Sequence, residues 1–154
     1  MNWILMTDYK NPWTYHGEIF TTVDIGDNVG FVYLITDLTN NKKYVGKKNF
    51  SSTRRLNPLK GMKRKRKKVT ESDWKDYYGS SEIVQQLVEE NGIDNYKREI
   101  LHLCKKKGEM SYLEAKEQFD RNVLLSDEYY NGIINCKIHR SHVKDLKEKD
   151  DGTS

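Results

Sequence analysis

Residues 30–46 constrain the architecture more than any other part of the chain. Gly30, Phe31, Val32, Tyr33, Leu34, Ile35 and Thr36 form a run dominated by β-branched and aromatic side chains, which suit a pleated, half-buried surface. Asp37 to Asn41 supplies turn chemistry, and Lys43, Tyr44, Val45 and Gly46 resume the strand pattern. Two such runs around a short polar turn read as an antiparallel β-hairpin. A hairpin alone is marginal in water, so further elements must cover it. Lys97 to Cys104 alternates well enough for a third strand. Ser81 precedes Ile83, Val84, Leu87 and Val88 at helical spacing, and Asn91 and Gly92 close that segment. Ser72 to Tyr78 is expected as a short helix ended by Gly79. Gly108 is expected to separate the third strand from a helix running from about Met110 to Leu125. The order β-β-α-β-α predicts an α/β (α+β) domain, a small central antiparallel three-stranded sheet flanked by helices.

The 154 residues suit one such domain. Residues 1–28 mix Trp3, Trp13, Tyr15 and Phe20 with polar residues and end in Gly26, Asp27 and Asn28. They read as an N-terminal extension packed on the main domain, with room for a short strand. The domain itself is expected over 29–143, with a basic insertion at about 54–70 and a charged, flexible tail over 144–154. No apolar run approaches the ~20 residues of a membrane span, and the start Met1 to Met6 is too short for a signal-peptide core. Two cysteines give neither a disulfide framework nor a paired zinc motif, which points to a reducing cytoplasm. Cys136, His139 and His142 lack a fourth zinc ligand at a usual spacing, so an ordinary cysteine and exposed histidines are expected there.

Charge is strongly segregated. Lys42, Lys43, Lys47, Lys48, Arg54, Arg55, Lys60, Lys63, Arg64, Lys65, Arg66, Lys67 and Lys68 follow one another without a single acid. The remainder of the chain carries fourteen cations against twenty-three acids. Like charges at this density repel, and a polyanion would relieve them by counterion release, with binding that weakens steeply in salt. A solvated loop is the simpler reading of Gly61 to Lys68 taken alone; over the whole stretch, nucleic acid is the better one.

Tyr33, in Gly30 to Tyr33, and Tyr44, in Tyr44-Val45-Gly46, stand eleven residues apart across the hairpin. Arg54 follows ten residues after the second tyrosine, with Arg55 beside it. Further on come Glu114, within Tyr112 to Ala115, and Asn131, preceded by Tyr129 and Tyr130. In this ordered set, over roughly residues 30–135, the chain resembles the GIY-YIG nuclease family, particularly its small bacteriophage homing-type members. The resemblance implies a DNA endonuclease using one divalent ion, Mg²⁺ or Mn²⁺, and leaving 5′-phosphate and 3′-hydroxyl ends. It implies Tyr33 as general base, Tyr44 as its hydrogen-bonding partner, Arg54 or Arg55 as the catalytic arginine, Glu114 as metal ligand and Asn131 as a tie between helix and hairpin. It further implies double-stranded DNA as partner, a homodimer as the assembly that could add specificity, no membrane, and a host cytoplasm for a phage-encoded member. The basic insertion stands where the family usually has an arginine-bearing helix, and the family's histidine shortly after the arginine is missing.

These residue types suit the chemistry. One carboxylate can hold Mg²⁺, which keeps several waters. A phenol with pKa ~10 is a poor base at neutral pH, and Lys43 and Lys47 are expected to lower that value. A guanidinium offers phosphate a planar fork that lysine cannot. Lys43, Lys47, Lys48, Arg55, Lys63, Arg64, Lys65, Arg66, Lys67 and Lys68 are the expected nucleic-acid contacts. Each residue has a plainer role as well. The tyrosines could be cross-strand aromatics, Ser111 and Glu114 a capping box, and Glu117 is a competing ligand one turn along. A non-catalytic nucleic-acid-binding module, or a ribonuclease, is the alternative function.

Overall fold

The computed structural model describes residues 9–135 and 137–146. Trp3, Cys136 and the expected tail beyond Leu146 lie outside the described residues. In chain order, β1 (Thr14–Tyr15) and β2 (Glu18–Ile19) make a short hairpin, and β3 (Gly30–Asp37) and β4 (Lys43–Asn49) make the long one. Then come β5 (Ser51–Leu56), β6 (Arg66–Glu71), α1 (Glu82–Asn91), β7 (Tyr96–Cys104) and α2 (Lys107–Asp120).

β3 is the axis of the main sheet, buried at every position except Thr36. β4 pairs with it antiparallel from Gly30↔Asn49 to Thr36↔Lys43, and β7 pairs antiparallel on its other side. These are the three expected strands. The sheet has five, however, in the order β2-β1-β7-β3-β4, because β1 adds parallel to β7 and brings β2 with it. Two-residue strands are too short to display an alternation, and only tertiary pairing defines them.

Period-two alternation sorts the β3 side chains between two layers. Phe31, Tyr33 and Ile35 face Trp13, Phe20, Phe50, Trp74, Tyr96 and the α1 residues Val84 and Val88. Val32, Leu34 and, from β4, Val45 face Cys104, Met110 of α2 and Val123. Ser81 caps α1 through the Val84 N–H (3.4 Å), and Gly92, at φ 90°, ends it. Ser72 to Tyr78 contains only a 3-10 turn, Trp74–Asp76. Gly108 lies inside α2 rather than before it. A Cβ there would come within 2.6 Å of His142, so the residue read as a breaker serves a close approach.

The basic stretch also departs from expectation. It is no loop: β5 and β6 pair antiparallel from Ser51↔Glu71 to Leu56↔Arg66 as a separate two-stranded arm. Its root is fixed by the rings of Phe50 and Trp74 (5.4 Å) and by Ser72, whose N–H bonds the Phe50 carbonyl at 2.9 Å.

Arg98 on β7 joins the N-terminal extension to the rest. It is 1% exposed. Its guanidinium donates to the carbonyls of Asn11 (3.1 Å from Nε), Lys10 (3.3 Å) and Tyr77 (2.9 Å), and lies over the rings of Tyr78 and Trp13. Its charge is thus solvated by backbone dipoles and aromatic faces. Replacing Arg98 by Met leaves these carbonyls without a donor. Urea denaturation should show roughly 2–4 kcal/mol lost, with Arg98→Lys recovering only part because an ammonium cannot span the same fork. Unchanged stability in Arg98→Met would refute this role.

Candidate active site

Tyr33 lies directly opposite Gly46 in the β3–β4 ladder. Its ring crosses the space a side chain would fill: a Cβ on Gly46 would sit 2.3 Å from the Tyr33 hydroxyl. A bulge adds one residue to β7 at this point, so that Val32 opposes His102 while Tyr33 opposes Ile100. Such bulges re-aim side chains. Tyr33 packs against Trp13 (ring centroids 5.2 Å), Tyr77 (5.9 Å) and Tyr44 (6.3 Å). Its hydroxyl interacts with that of Tyr77 without the geometry of a full hydrogen bond, so the oxygen is buried and unsatisfied.

This enclosure reverses one expectation. Tyr33 is held well above the ordinary phenol pKa, first by burial and then by Tyr77, Tyr44 and Glu114. The lysines expected to lower it are engaged elsewhere. Lys43 bonds the Asn41 carbonyl at the turn (3.4 Å), and Lys47 reaches Ser111 on α2 (2.7 Å). In the ligand-free protein, Tyr33 is a neutral phenol.

α2 packs on the sheet face opposite Tyr33, yet Glu114 acts electrostatically on Tyr33. β4 is the outermost strand on this side of the sheet, and Glu114 is among the charges that hold the Tyr33 hydroxyl neutral. Because α2 begins at Lys107, Ser111 and Glu114 lie inside the helix, which removes the capping-box reading. Burial raises the Glu114 carboxyl pKa against the opposing pull of Lys47. Glu117, the competing carboxylate, is already bound by His102 (3.2 Å) and Arg121 (3.3 Å). The same β7 bulge aims His102 at it.

Tyr44 stands beside Tyr33 and bonds Ser80 through its hydroxyl (2.9 Å). Gly79, at φ 97°, lets the chain pass close by: a Cβ there would lie 3.4 Å from the Tyr44 ring and 3.5 Å from the Tyr33 hydroxyl. Tyr77 and Ser80 are therefore part of the cluster, although neither is among the site residues expected from the sequence. Only the adjacency of Tyr77, Tyr78 and Gly79 hinted at a tight aromatic turn. Lys48 bonds Asp73 (2.6 Å) and lies over the Tyr77 ring (4.1 Å).

Asn131 touches neither tyrosine. Its side chain reproduces a strand's pairing with Val45, accepting from the N–H (3.0 Å) and donating to the carbonyl (2.8 Å). Lys43 bonds Glu128 and Tyr130 through its backbone, so residues 128–131 act as a surrogate strand on the outer edge of β4. Arg54 is the residue the structure does not bring in. It sits exposed on the arm opposite Lys68, and Arg55 sits opposite Lys67. Lys63, Arg64, Lys65 and Arg66 are likewise exposed at the arm's tip and on β6. A trough of about 400 Å³ lies at the arm's root, lined by Lys47, Lys48, Asn49, Ser51, Ser52, Thr53, Ser72 and Lys107. Among the described residues, no group of three or more His, Cys, Asp or Glu could hold a metal ion. His139 and His142 bond each other and Ser141 instead.

A five-stranded mixed sheet presenting paired tyrosines, a helical glutamate and a bracketing asparagine at one edge defines a GIY-YIG-type domain. The family model described as "Putative endonuclease segE, GIY-YIG domain" matches residues 13–134, and the chain belongs to that family. It is also 33% identical over 101 residues to a protein of Enterobacteria phage T4 named "Putative endonuclease segE". That match covers 66% of this chain and 39% of the phage protein. No solved structure matches. Among the described residues, no helix is long and apolar enough to cross a membrane.

A carboxyl whose pKa is raised on folding destabilises the native state wherever it must ionise. The penalty is complete above the folded pKa and disappears below the unfolded value of about 4.5. Glu114→Gln should therefore melt above the native protein at pH 7–8, with the two converging near pH 4. Thermal melts across that range check this, and a Gln variant less stable at neutral pH would contradict it.

Proposed function

We propose that this chain is an endonuclease that hydrolyses phosphodiester bonds in DNA, double-stranded in preference, using one divalent metal ion. The observation that supports it most is the meeting of two phenols and a half-buried carboxylate at the β4 edge, beside the lysine-lined trough.

Glu114 fits a divalent cation. It accepts no described hydrogen bond, and burial leaves its carboxylate short of compensating positive charge. One such ligand suffices for Mg²⁺ or Mn²⁺, which fill their remaining positions with water and phosphate oxygens. When bound, the ion supplies charge neutralisation on the phosphate and help for the departing 3′ oxygen.

The chain's own groups do the rest. Tyr33 acts as general base, its unsatisfied hydroxyl oxygen taking the proton of the attacking water once ionised. The Glu114 charge is one of the causes holding that phenol neutral, so neutralising Glu114 favours phenolate. Tyr44, steadied by Ser80, orients the water. Arg54, or Arg55 beside it, offers its fork to phosphate oxygens when the arm settles on DNA. Lys43, Lys47, Lys48 and the arm's cations grip the backbone, and a homodimer would double the contact. Asn131 holds the edge strand in place.

Plasmid incubated with Mg²⁺ should be cleaved. Tyr33→Phe and Glu114→Ala should each lose about 10²–10⁴ in rate while still binding DNA. Because the phenolate fraction grows tenfold per pH unit below its pKa, log(kcat/KM) should climb with a slope near one from pH 6 to 9. Mg²⁺ should raise the melting temperature of the native protein but not of Glu114→Gln. The complete burial of the Tyr33 hydroxyl favours one rival reading, a binding module without catalysis. Retained binding with no cleavage by any version would establish it, and cleavage of structured RNA alone would establish a ribonuclease.

Neutralising Lys63 to Lys68 should raise KM and flatten the salt dependence, each lost phosphate contact reducing the slope by about 0.9. The metal requirement should not change. Unaltered binding would remove the arm from the substrate interface.

A further inference from the structure

We infer that the β5–β6 arm bends duplex DNA, its strands entering the minor groove and Leu59 and Met62 at its tip wedging between base pairs. This rests on the DNA reading above and adds a mechanical role to it.

The arm's charge is arranged for a groove rather than a flat surface. Residues directly opposite in an antiparallel pair share a face, and successive residues alternate between faces. Arg54 and Lys68 therefore stand together on one face, with Leu56 and Arg66 two residues further on. Arg55 and Lys67 stand together on the other. Like charges set directly opposite destabilise a ladder, and here they do so on both faces of an isolated ribbon, itself marginal. Residues 51–55 and 66–71 are exposed, and among the described residues no acid forms an ion pair with Arg54, Arg55, Lys67 or Lys68. A phosphate rail lying against one face would leave the other uncompensated. A groove has a rail on each wall.

The tip supplies the second observation. Among the exposed cations there, Leu59 is 54% and Met62 63% exposed, and the Met62 N–H bonds the Leu59 carbonyl (2.8 Å) in one tight turn. Pro58 precedes them. Apolar side chains held together at the end of a cationic projection match the chemistry of minor-groove wedges, which unstack a base step and kink the duplex. The minor groove is only about 6 Å wide, whereas the major groove admits a two-stranded ribbon undeformed; two strands about 4.8 Å apart with side chains therefore enter the minor groove only with the opening that unstacking by Leu59 and Met62 provides. Six residues of strand place the tip roughly 20 Å from its root, which is fixed beside Lys47 and Lys48. The bend would therefore fall about six base pairs from the catalytic cluster.

The test uses the full chain, a 30-base-pair duplex with a donor and an acceptor dye at its ends, and EDTA to prevent cleavage. Binding is followed in parallel by anisotropy and folding by circular dichroism. The native protein should raise energy transfer to a value corresponding to a bend of tens of degrees. Leu59→Ala with Met62→Ala should bind within about tenfold of native yet leave energy transfer near that of free DNA. Binding without a change in energy transfer, or equal bending by the double variant, would overturn the inference while leaving the nuclease reading intact. Equal affinity for duplex RNA, whose minor groove is wide and shallow, would also overturn it. Absence of duplex binding would defeat both readings at once.

Discussion

One cross-strand contact organises the candidate site: Tyr33 lying over Gly46. The aromatic ring needs the room that only glycine leaves, and the hydroxyl is thereby carried to the outer edge of the sheet. Neither the tyrosine nor the glycine serves this purpose alone. A carboxylate on the opposite face, Glu114, also acts on that hydroxyl. Tyr44, Tyr77 and Gly79 then close around the ring, and the cost of enclosure appears as an unsatisfied oxygen and a phenol kept neutral. Buried, under-bonded polar atoms of this kind call for a particular explanation, and the proposed general-base role, in which this oxygen takes a proton from an incoming water, would supply one.

The two halves of the charge distribution meet at this edge. Thirteen cations and no acid fill Lys42 to Lys68, on β4 and most of the arm, whereas all twenty-three acids lie outside that stretch. Glu114 sits at the boundary with Lys47 beside it. Its neighbour Glu117 is hydrogen-bonded to His102 and paired with Arg121, whereas Glu114 accepts no described hydrogen bond. The β7 bulge falls between the partners of Val32 and Tyr33, next to His102.

Long elements with clear periodicity were legible. Gly30 to Gly46 announced the central hairpin, Lys97 to Cys104 the strand beside it, and Ser81 and Gly92 the ends of α1. The family was legible too, from the order of its motifs. Three kinds of feature were not. β1 and β2 are defined by pairing with β7, not by pattern. The arm looked like a loop because lysine and arginine have little strand propensity; Thr53, Val69 and Thr70 are its few β-branched residues. Gly108 looked like a breaker because its tertiary role, admitting His142, lies thirty-four residues away. Within the site, the sequence brought attention to Tyr33, Tyr44 and Glu114, which converge, and to Arg54, which lies on the arm. It gave no sign that burial would outweigh the lysines at Tyr33, because the closing residues Tyr77 and Gly79 arrive from a distant segment.

The surrogate strand at 128–131 has a consequence for how copies of this protein meet. It occupies the outer row of β4 only as far as Val45, and no described hydrogen bond closes that row at Lys47. An open strand edge invites a neighbouring chain to add to the sheet, and proteins discourage this with charge, lysine above all. Lys47 and Lys48 thus act as gatekeepers against edge-to-edge aggregation at the uncapped end of β4. Selection for solubility and selection for gripping a polyanion favour the same two side chains.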